Sequence, residues 1–124
     1  MNCIFCNTDE LDIIIEFEKV YAIYDNYPVN TGHMLIIPIR HYTNFFETRP
    51  EELEQIYALL KKAKDKLDEL YSPDGYNIGI NNGKAAGQTI MHLHIHLIPR
   101  YDGDVNDPRG GVRHIKEELV PYKG

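Results

Sequence analysis

The chain has little of what would make it a membrane-spanning, secreted or nucleic-acid-coating protein. Its longest apolar run, Met34-Leu35-Ile36-Ile37-Pro38-Ile39, falls far short of the ~20 residues needed to cross a bilayer. No membrane partner is therefore expected. The start, Met1-Asn2-Cys3-Ile4-Phe5-Cys6, lacks the charged opening and apolar stretch of a secretory signal, and the expected location is cytoplasmic. Positive charge is in deficit: 13 Lys and Arg against 19 Asp and Glu leave a formal net charge of -6. That balance speaks against a nucleic-acid polymer, whose backbone calls for a basic face. A small anion is still compatible, because a few backbone amides and one or two arginines suffice to hold a phosphate. Cysteine is scarce too, with only Cys3 and Cys6. In a cytosolic protein that spacing reads as a metal half-site or redox pair before a structural disulfide.

What is present fits one domain over residues 1–124, with an N-terminal arm at about 1–8 and a loop-rich tail at about 101–124. No internal repeat or low-complexity tract interrupts it. Residues 12–17, 19–24, 33–39, 76–80 and 91–99 are short and rich in β-branched or aromatic side chains, and read as strands. Pro38 suggests that the third strand lies near an edge or stops there. One long helix is expected from Pro50 to Tyr71. Pro50 suits the first turn, Glu51 and Glu52 suit the positive end of the helix dipole, and Ser72-Pro73-Asp74-Gly75 stops it. Leu53, Ile56, Tyr57, Leu60, Ala63, Leu67 and Leu70 form the expected apolar stripe. The lysines between them read as a solvated face. The fold class is α+β: an antiparallel sheet of about five strands with one long helix packed on it.

The run Met91-His92-Leu93-His94-Ile95-His96-Leu97 carries the chemistry. Read as a strand, it places His92, His94 and His96 on one face and Leu93, Ile95 and Leu97 on the other. The apolar alternation explains why the segment folds but not why it holds three of the chain's six histidines. Two readings follow. In one, an imidazole acts as a nucleophile while its neighbours hold the substrate; in the other, the histidines bind a catalytic metal. No acidic residue occurs between Gly75 and Arg100, which weakens the second, since such a site normally adds a nearby carboxylate. A structural zinc held by Cys3, Cys6, His41 and His92 is a further candidate. It would tie the arm to two strands and leave His94 and His96 free.

The segment from Gly87 to Arg100 closely resembles the signature of the histidine-triad (HIT) superfamily, in which three histidines alternate with apolar residues. Tyr21-Ala22-Ile23-Tyr24-Asp25, then Pro28, Gly32-His33 and Leu35-Ile36-Ile37-Pro38, resemble its nucleotide-binding first half, and Cys3-Ile4-Phe5-Cys6 resembles its zinc-bearing branch. The resemblance implies a nucleotide hydrolase or transferase that cleaves at the α-phosphate of dinucleoside polyphosphates or nucleoside phosphoramidates. His94 would form a covalent nucleotidyl-histidine, His96 would contact the phosphoryl oxygens, and His33 would help orient the nucleophile. Asp25 would hold the ribose hydroxyls. Gln88 would bind phosphate or the leaving group, and Asn81 would line the same pocket. Cys3, Cys6, His41 and His92 would hold a structural Zn2+, and the assembly would be a homodimer joining two sheets. The tail resembles a subgroup described as diadenosine polyphosphate hydrolases, in which Arg109 and Arg113 would reach a second nucleotide or fix the tail at the dimer interface. A nucleotide-binding regulatory module with incidental catalysis and a zinc-dependent hydrolase are the alternatives.

Overall fold

A computed structural model describes residues 2–116, 121 and 123. The arm's Met1 and the end of the tail (117–120, 122 and 124) lie outside the described residues. Five strands, β1 (Ile13–Glu16), β2 (Val20–Tyr24), β3 (Met34–Pro38), β4 (Gly75–Gly79) and β5 (Ile95–Arg100), form one sheet in the order β1-β2-β3-β5-β4. Every neighbouring pair is antiparallel. The helix α1 spans Pro50–Tyr71, as the sequence predicts, with proline in its first turn and a left-handed Ser72 closing it.

Helix α1 covers one face of the sheet. Ile56, Leu59, Ala63 and Leu67 are buried against Val20, Ala22, Met34, Ile36, Ile95 and Leu97. The inward stripe keeps the predicted Ile56, Ala63 and Leu67, with Leu60 partly buried against the same core, but it adds the fully buried Leu59 and leaves Leu53, Tyr57 and Leu70 exposed. The correction has a polar cause. Glu52 is buried on the inward side, where its carboxylate accepts bonds of 2.7 and 2.9 Å from the Arg40 guanidinium and one of 2.9 Å from the Arg49 amide. That anchor sets the rotation of the first turn, and positions 56, 59, 63 and 67 follow at helical spacing.

The opposite face is covered by the N-terminal arm. Phe5 packs with Tyr21, Ile23, Leu35 and Ile37 in a second core cluster, flanked by Cys3. The arm is therefore built into the fold, and its cysteines are carried to the middle of the sheet.

Two departures from the expected strands bear on function. Strand β5 begins at Ile95 rather than Met91, so His92 and His94 precede the strand and only His96 lies within it. Strand β3 pairs with β5 no further than Ile36 with Ile95. Pro38 ends β3, as expected, but β3 is central and β4 is an edge strand.

Candidate active site

Two clusters form where the segment before β5 passes the ends of β2 and β3. The first joins Cys3, Cys6, His41 and His92, whose ligand atoms all lie within 4.8 Å of one another. The Cys3 sulfur is 3.4 Å from His92 Nδ1, the Cys6 sulfur is 3.3 Å from His41 Nδ1 and 3.6 Å from His92 Nδ1, and the two Nδ1 atoms are 3.1 Å apart. A tetrahedral zinc with bonds of about 2.0–2.3 Å would set its ligand atoms roughly 3.3–3.8 Å apart. The fit extends to the proton on His92. Its Nε2–H donates to the Pro38 carbonyl at 2.7 Å, so in the neutral ring Nδ1 points a lone pair into the cluster. Burial holds His92 below the ordinary histidine pKa, which favours that neutral, ligating form.

The second cluster is a chain of imidazoles whose tautomers can be followed from one fixed donor. The Val29 amide donates to His33 Nδ1 at 3.0 Å. His33 Nδ1 is therefore an acceptor, and in the neutral ring Nε2 carries the proton. That Nε2 lies 2.9 Å from His96 Nδ1, so His33 donates to His96, which in turn carries its own proton on Nε2. His33 is held below the usual histidine pKa by burial, and nearby Asp25 opposes that shift. Burial pushes His96 down to about 4, with the neighbouring His94 and His33 acting in the same direction. At neutral pH His96 is therefore an uncharged donor at Nε2.

His94 is arranged in the opposite sense. Its Nδ1–H donates to the carbonyl of His92 at 2.8 Å, leaving an unshared pair on Nε2. The His94 ring stands 5.3 Å from that of His96 and 5.3 Å from that of Phe5, centre to centre. A ring nitrogen with an unshared pair and a ring with an N–H donor thus sit side by side, each with its tautomer fixed by a partner.

Asp25, His33 and His96 also lie close enough to suggest a metal site, but the tautomers oppose one. Binding a cation through His33 Nε2 would require a proton on Nδ1, where the Val29 amide already donates. Asp25 lies 3.5 Å from His33 Nε2 and accepts from the Tyr27 amide at 2.9 Å. It serves the turn and faces the site at once.

Asn81 lines a cavity together with His33 and His96. Gln88 lies at the base of the glycine loop. It is buried, its carbonyl oxygen accepts from the Gly83 amide at 2.8 Å, and its amide nitrogen donates to the carbonyls of Thr43 and Ile90, both at 3.1 Å. Both of its amide hydrogens and one lone pair of its oxygen are thus engaged in shaping the glycine loop. Arg109 and Arg113 do not line the histidine cavity. Three contributors were missed in the sequence. The Pro38 carbonyl and the Val29 amide are backbone groups, which no residue type announces. Phe5 had a signal in its position between the two cysteines.

The fold and site define a class: a small α+β protein in which a row of paired imidazoles lies beside a Cys2His2 cluster. The HIT domain model matches residues 8–103, and the chain belongs to the HIT family. It is 38% identical over 109 residues to the adenosine 5′-monophosphoramidase of Candida albicans, covering 82% of this chain and 72% of that protein. It is 34% identical over 101 residues to the AP-4-A phosphorylase of Mycobacterium tuberculosis, covering 80% of this chain but only 52% of that one. Among solved structures, a Zn-bound histidine triad protein of Mycobacterium smegmatis superimposes with a TM-score of 0.75 at 37% identity, over 84% of this chain and 78% of its own.

Proposed function

We propose that this protein is a nucleotide hydrolase or transferase that cleaves at the α-phosphate of dinucleoside polyphosphates or nucleoside phosphoramidates through a covalent intermediate on His94. The observation that carries this reading is the pair of fixed tautomers, a lone pair on His94 Nε2 beside a proton on His96 Nε2.

The reaction follows from that pair. His94 Nε2 gives its lone pair to the α-phosphorus while the bond to the leaving oxygen or nitrogen breaks; a polyphosphate oxygen departs as the anion with that electron pair, and a leaving nitrogen takes up a proton from solvent and departs as the neutral amine. The ring becomes a cation, stabilised by its Nδ1–H bond to the His92 carbonyl. The proton on His96 Nε2 meets the charge on the phosphoryl oxygens, and His33 keeps it on that nitrogen. Water, or another acceptor, then attacks phosphorus, the N–P bond breaks and its electron pair returns to His94. The attacking water gives up its proton to solvent. Asp25 and Asn81 are the binding residues for ribose and phosphate in this reading. The relatives' printed activities support it, as both act on adenine nucleotides.

Cys3, Cys6, His41 and His92 hold a structural zinc, which cross-links the arm to the sheet. The arm's Phe5 then stays against His94. The protein acts as a homodimer through β4, an edge strand with an exposed Ile78 at its centre. No helix among the described residues is long and apolar enough to cross a membrane, in keeping with a cytoplasmic enzyme.

Metal content and turnover of the wild type and of His94→Ala, on diadenosine tetraphosphate and on adenosine 5′-phosphoramidate, test the proposal. It predicts about one zinc per chain in both proteins and turnover lost in the variant. Undiminished turnover would remove His94 as nucleophile, and loss of zinc together with activity would favour a metal hydrolase.

A further inference from the structure

The two cysteines of the arm are spaced as a redox pair as well as a metal half-site, and the geometry suits both roles. Residues 4–6 form a turn in which the Cys6 amide donates to the Cys3 carbonyl at 3.1 Å. A turn closed in that way holds its end Cα atoms less than about 7 Å apart. A disulfide spans roughly 4.4–6.8 Å between the same atoms. The two sulfurs already lie within 4.8 Å of one another, so side-chain rotation is the main movement that joining them requires.

The pair is open to small molecules. Cys6 is exposed and Cys3 half-buried. A cavity of about 380 Å³ opens beside Cys3 and His41, walled by Ile4, Thr89, Ile90 and Met91. No Asp, Glu, Lys or Arg lines it among the described residues, so it admits a neutral molecule such as hydrogen peroxide. A structural zinc is ordinarily enclosed by its four ligands; here the ligand cluster has an open flank.

The same turn is tied to the histidine row. Phe5 lies between the two cysteines, packed with Tyr21, Ile23, Leu35 and Ile37, and its ring stands 5.3 Å from that of His94. The Tyr21 hydroxyl donates to the Phe5 carbonyl. His92 faces both sulfurs through Nδ1, while its own carbonyl accepts the His94 Nδ1–H. A bond between the sulfurs therefore pulls on the turn that seats Phe5, and it removes both thiolates from the side of His92 that faces the cluster.

We propose that Cys3 and Cys6 form a reversible oxidation site, at which a peroxide-class oxidant exchanges the zinc for a disulfide and draws Phe5 away from His94. The proposal rests on the Cys2His2 reading above and not on the nucleotidyl-transfer chemistry. The exposed Cys6 thiolate attacks one oxygen of hydrogen peroxide, the O–O bond breaks and hydroxide leaves, giving a sulfenic acid at Cys6. The Cys3 thiolate then attacks that sulfur, the S–O bond breaks and a second hydroxide leaves. Two electrons pass from the sulfur pair to the peroxide. His41 and His92 remain as half of a four-ligand set, too few to keep Zn2+. A dithiol reductant reverses the bond by exchange, itself becoming the disulfide, and zinc rebinds as the two thiols lose their protons.

The test treats the full-length, zinc-loaded protein with hydrogen peroxide. Peptide mass spectrometry should find Cys3 and Cys6 joined within one chain, and a chromophoric chelator should register about one zinc released per disulfide. The His94 ring resonances should shift, and kcat on adenosine 5′-phosphoramidate should fall about tenfold or more; both should recover after dithiothreitol and zinc. Unmodified cysteines, sulfinic acids or links between chains in place of the intrachain bond would overturn the site. A disulfide that leaves the His94 resonances in place would overturn the link through Phe5, and those resonances decide the matter whether or not His94 is the nucleophile. Protein that binds no zinc yet forms the disulfide would uphold the oxidation site and refute the zinc reading instead. Cys3→Ser should stop at the Cys6 sulfenic acid, trapped by dimedone; no adduct would overturn Cys6 as the attacking sulfur.

Discussion

Acid should destabilise this protein through His96 in a way that a single substitution removes. In the folded state burial and the adjacent His94 and His33 hold this imidazole at about 4, against 6.5 for an unperturbed ring. Above pH 6.5 neither the folded nor the unfolded chain binds the proton, and the stability is at its full value. As the pH falls through 6.5 towards 4 the unfolded chain takes up a proton that the folded chain refuses, and stability is lost. From pH 7 to pH 5 that linkage amounts to about 2 kcal/mol. His96 is only partly buried, so screening by water reduces the expected loss to about 1 kcal/mol. Urea denaturation at pH 7 and pH 5, at fixed protein and zinc concentrations, measures it in the wild type and in His96→Gln. His33, also held down by burial, and the zinc ligands are present in both proteins. The difference between the two pH dependences therefore isolates His96, and the wild type should lose about 1 kcal/mol more. Parallel pH dependences would show that His96 is not held neutral, and the fixed tautomer on which phosphoryl contact relies would lose its basis.

His33→Leu removes the donor that holds the His96 proton on Nε2. Steady-state kinetics should show kcat down by about 10–100-fold with little change in KM; a change confined to KM would mean that His33 merely binds substrate. Gly32→Ala puts a Cβ within 3.0 Å of Leu67 and 3.1 Å of Pro99 and Tyr71, at a φ of +93°. Left-handed strain and overpacking together should cost about 2–3 kcal/mol and lower Tm by roughly 10 °C in calorimetry, and a Tm within a degree of wild type would contradict the packing described. Chelation of zinc should lower Tm as well, since free zinc a hundredfold above its dissociation constant stabilises the fold by about 2.7 kcal/mol. An unchanged Tm after verified metal removal would deny the Cys2His2 cluster its structural role.

Much of the fold was legible because local signals agreed with it. The helix from Pro50 to Tyr71 had its proline start, its acidic first turn and its breaker sequence, and no tertiary contact opposed them. Its rotation was harder to read. Leu53 and Leu59 are the same residue type, and which of them turns inward fell to the pairing of buried Glu52 with Arg40, a contact twelve residues apart. The histidine run was legible as chemistry and only partly as geometry. A period-two pattern implies a strand, yet the segment bends before Ile95 because His92 is drawn aside by the Pro38 carbonyl and the cysteine cluster.

By itself, then, the sequence determined the α+β class, the histidine row and the candidate zinc ligands, while His33 and Asp25 were singled out only by the family resemblance. The former depend on composition, spacing and periodicity, which are local properties of the chain. Only the tertiary structure decided the protonation of each ring. It did so through backbone groups: the Val29 amide for His33 and, through it, His96, the Pro38 carbonyl for His92, and the His92 carbonyl for His94. It also bound Gln88 to the glycine loop, and brought Val112 and His114 to a cavity beside His33. Imidazoles identical in the sequence come to present a proton or an unshared pair according to which nitrogen a distant backbone atom has already engaged.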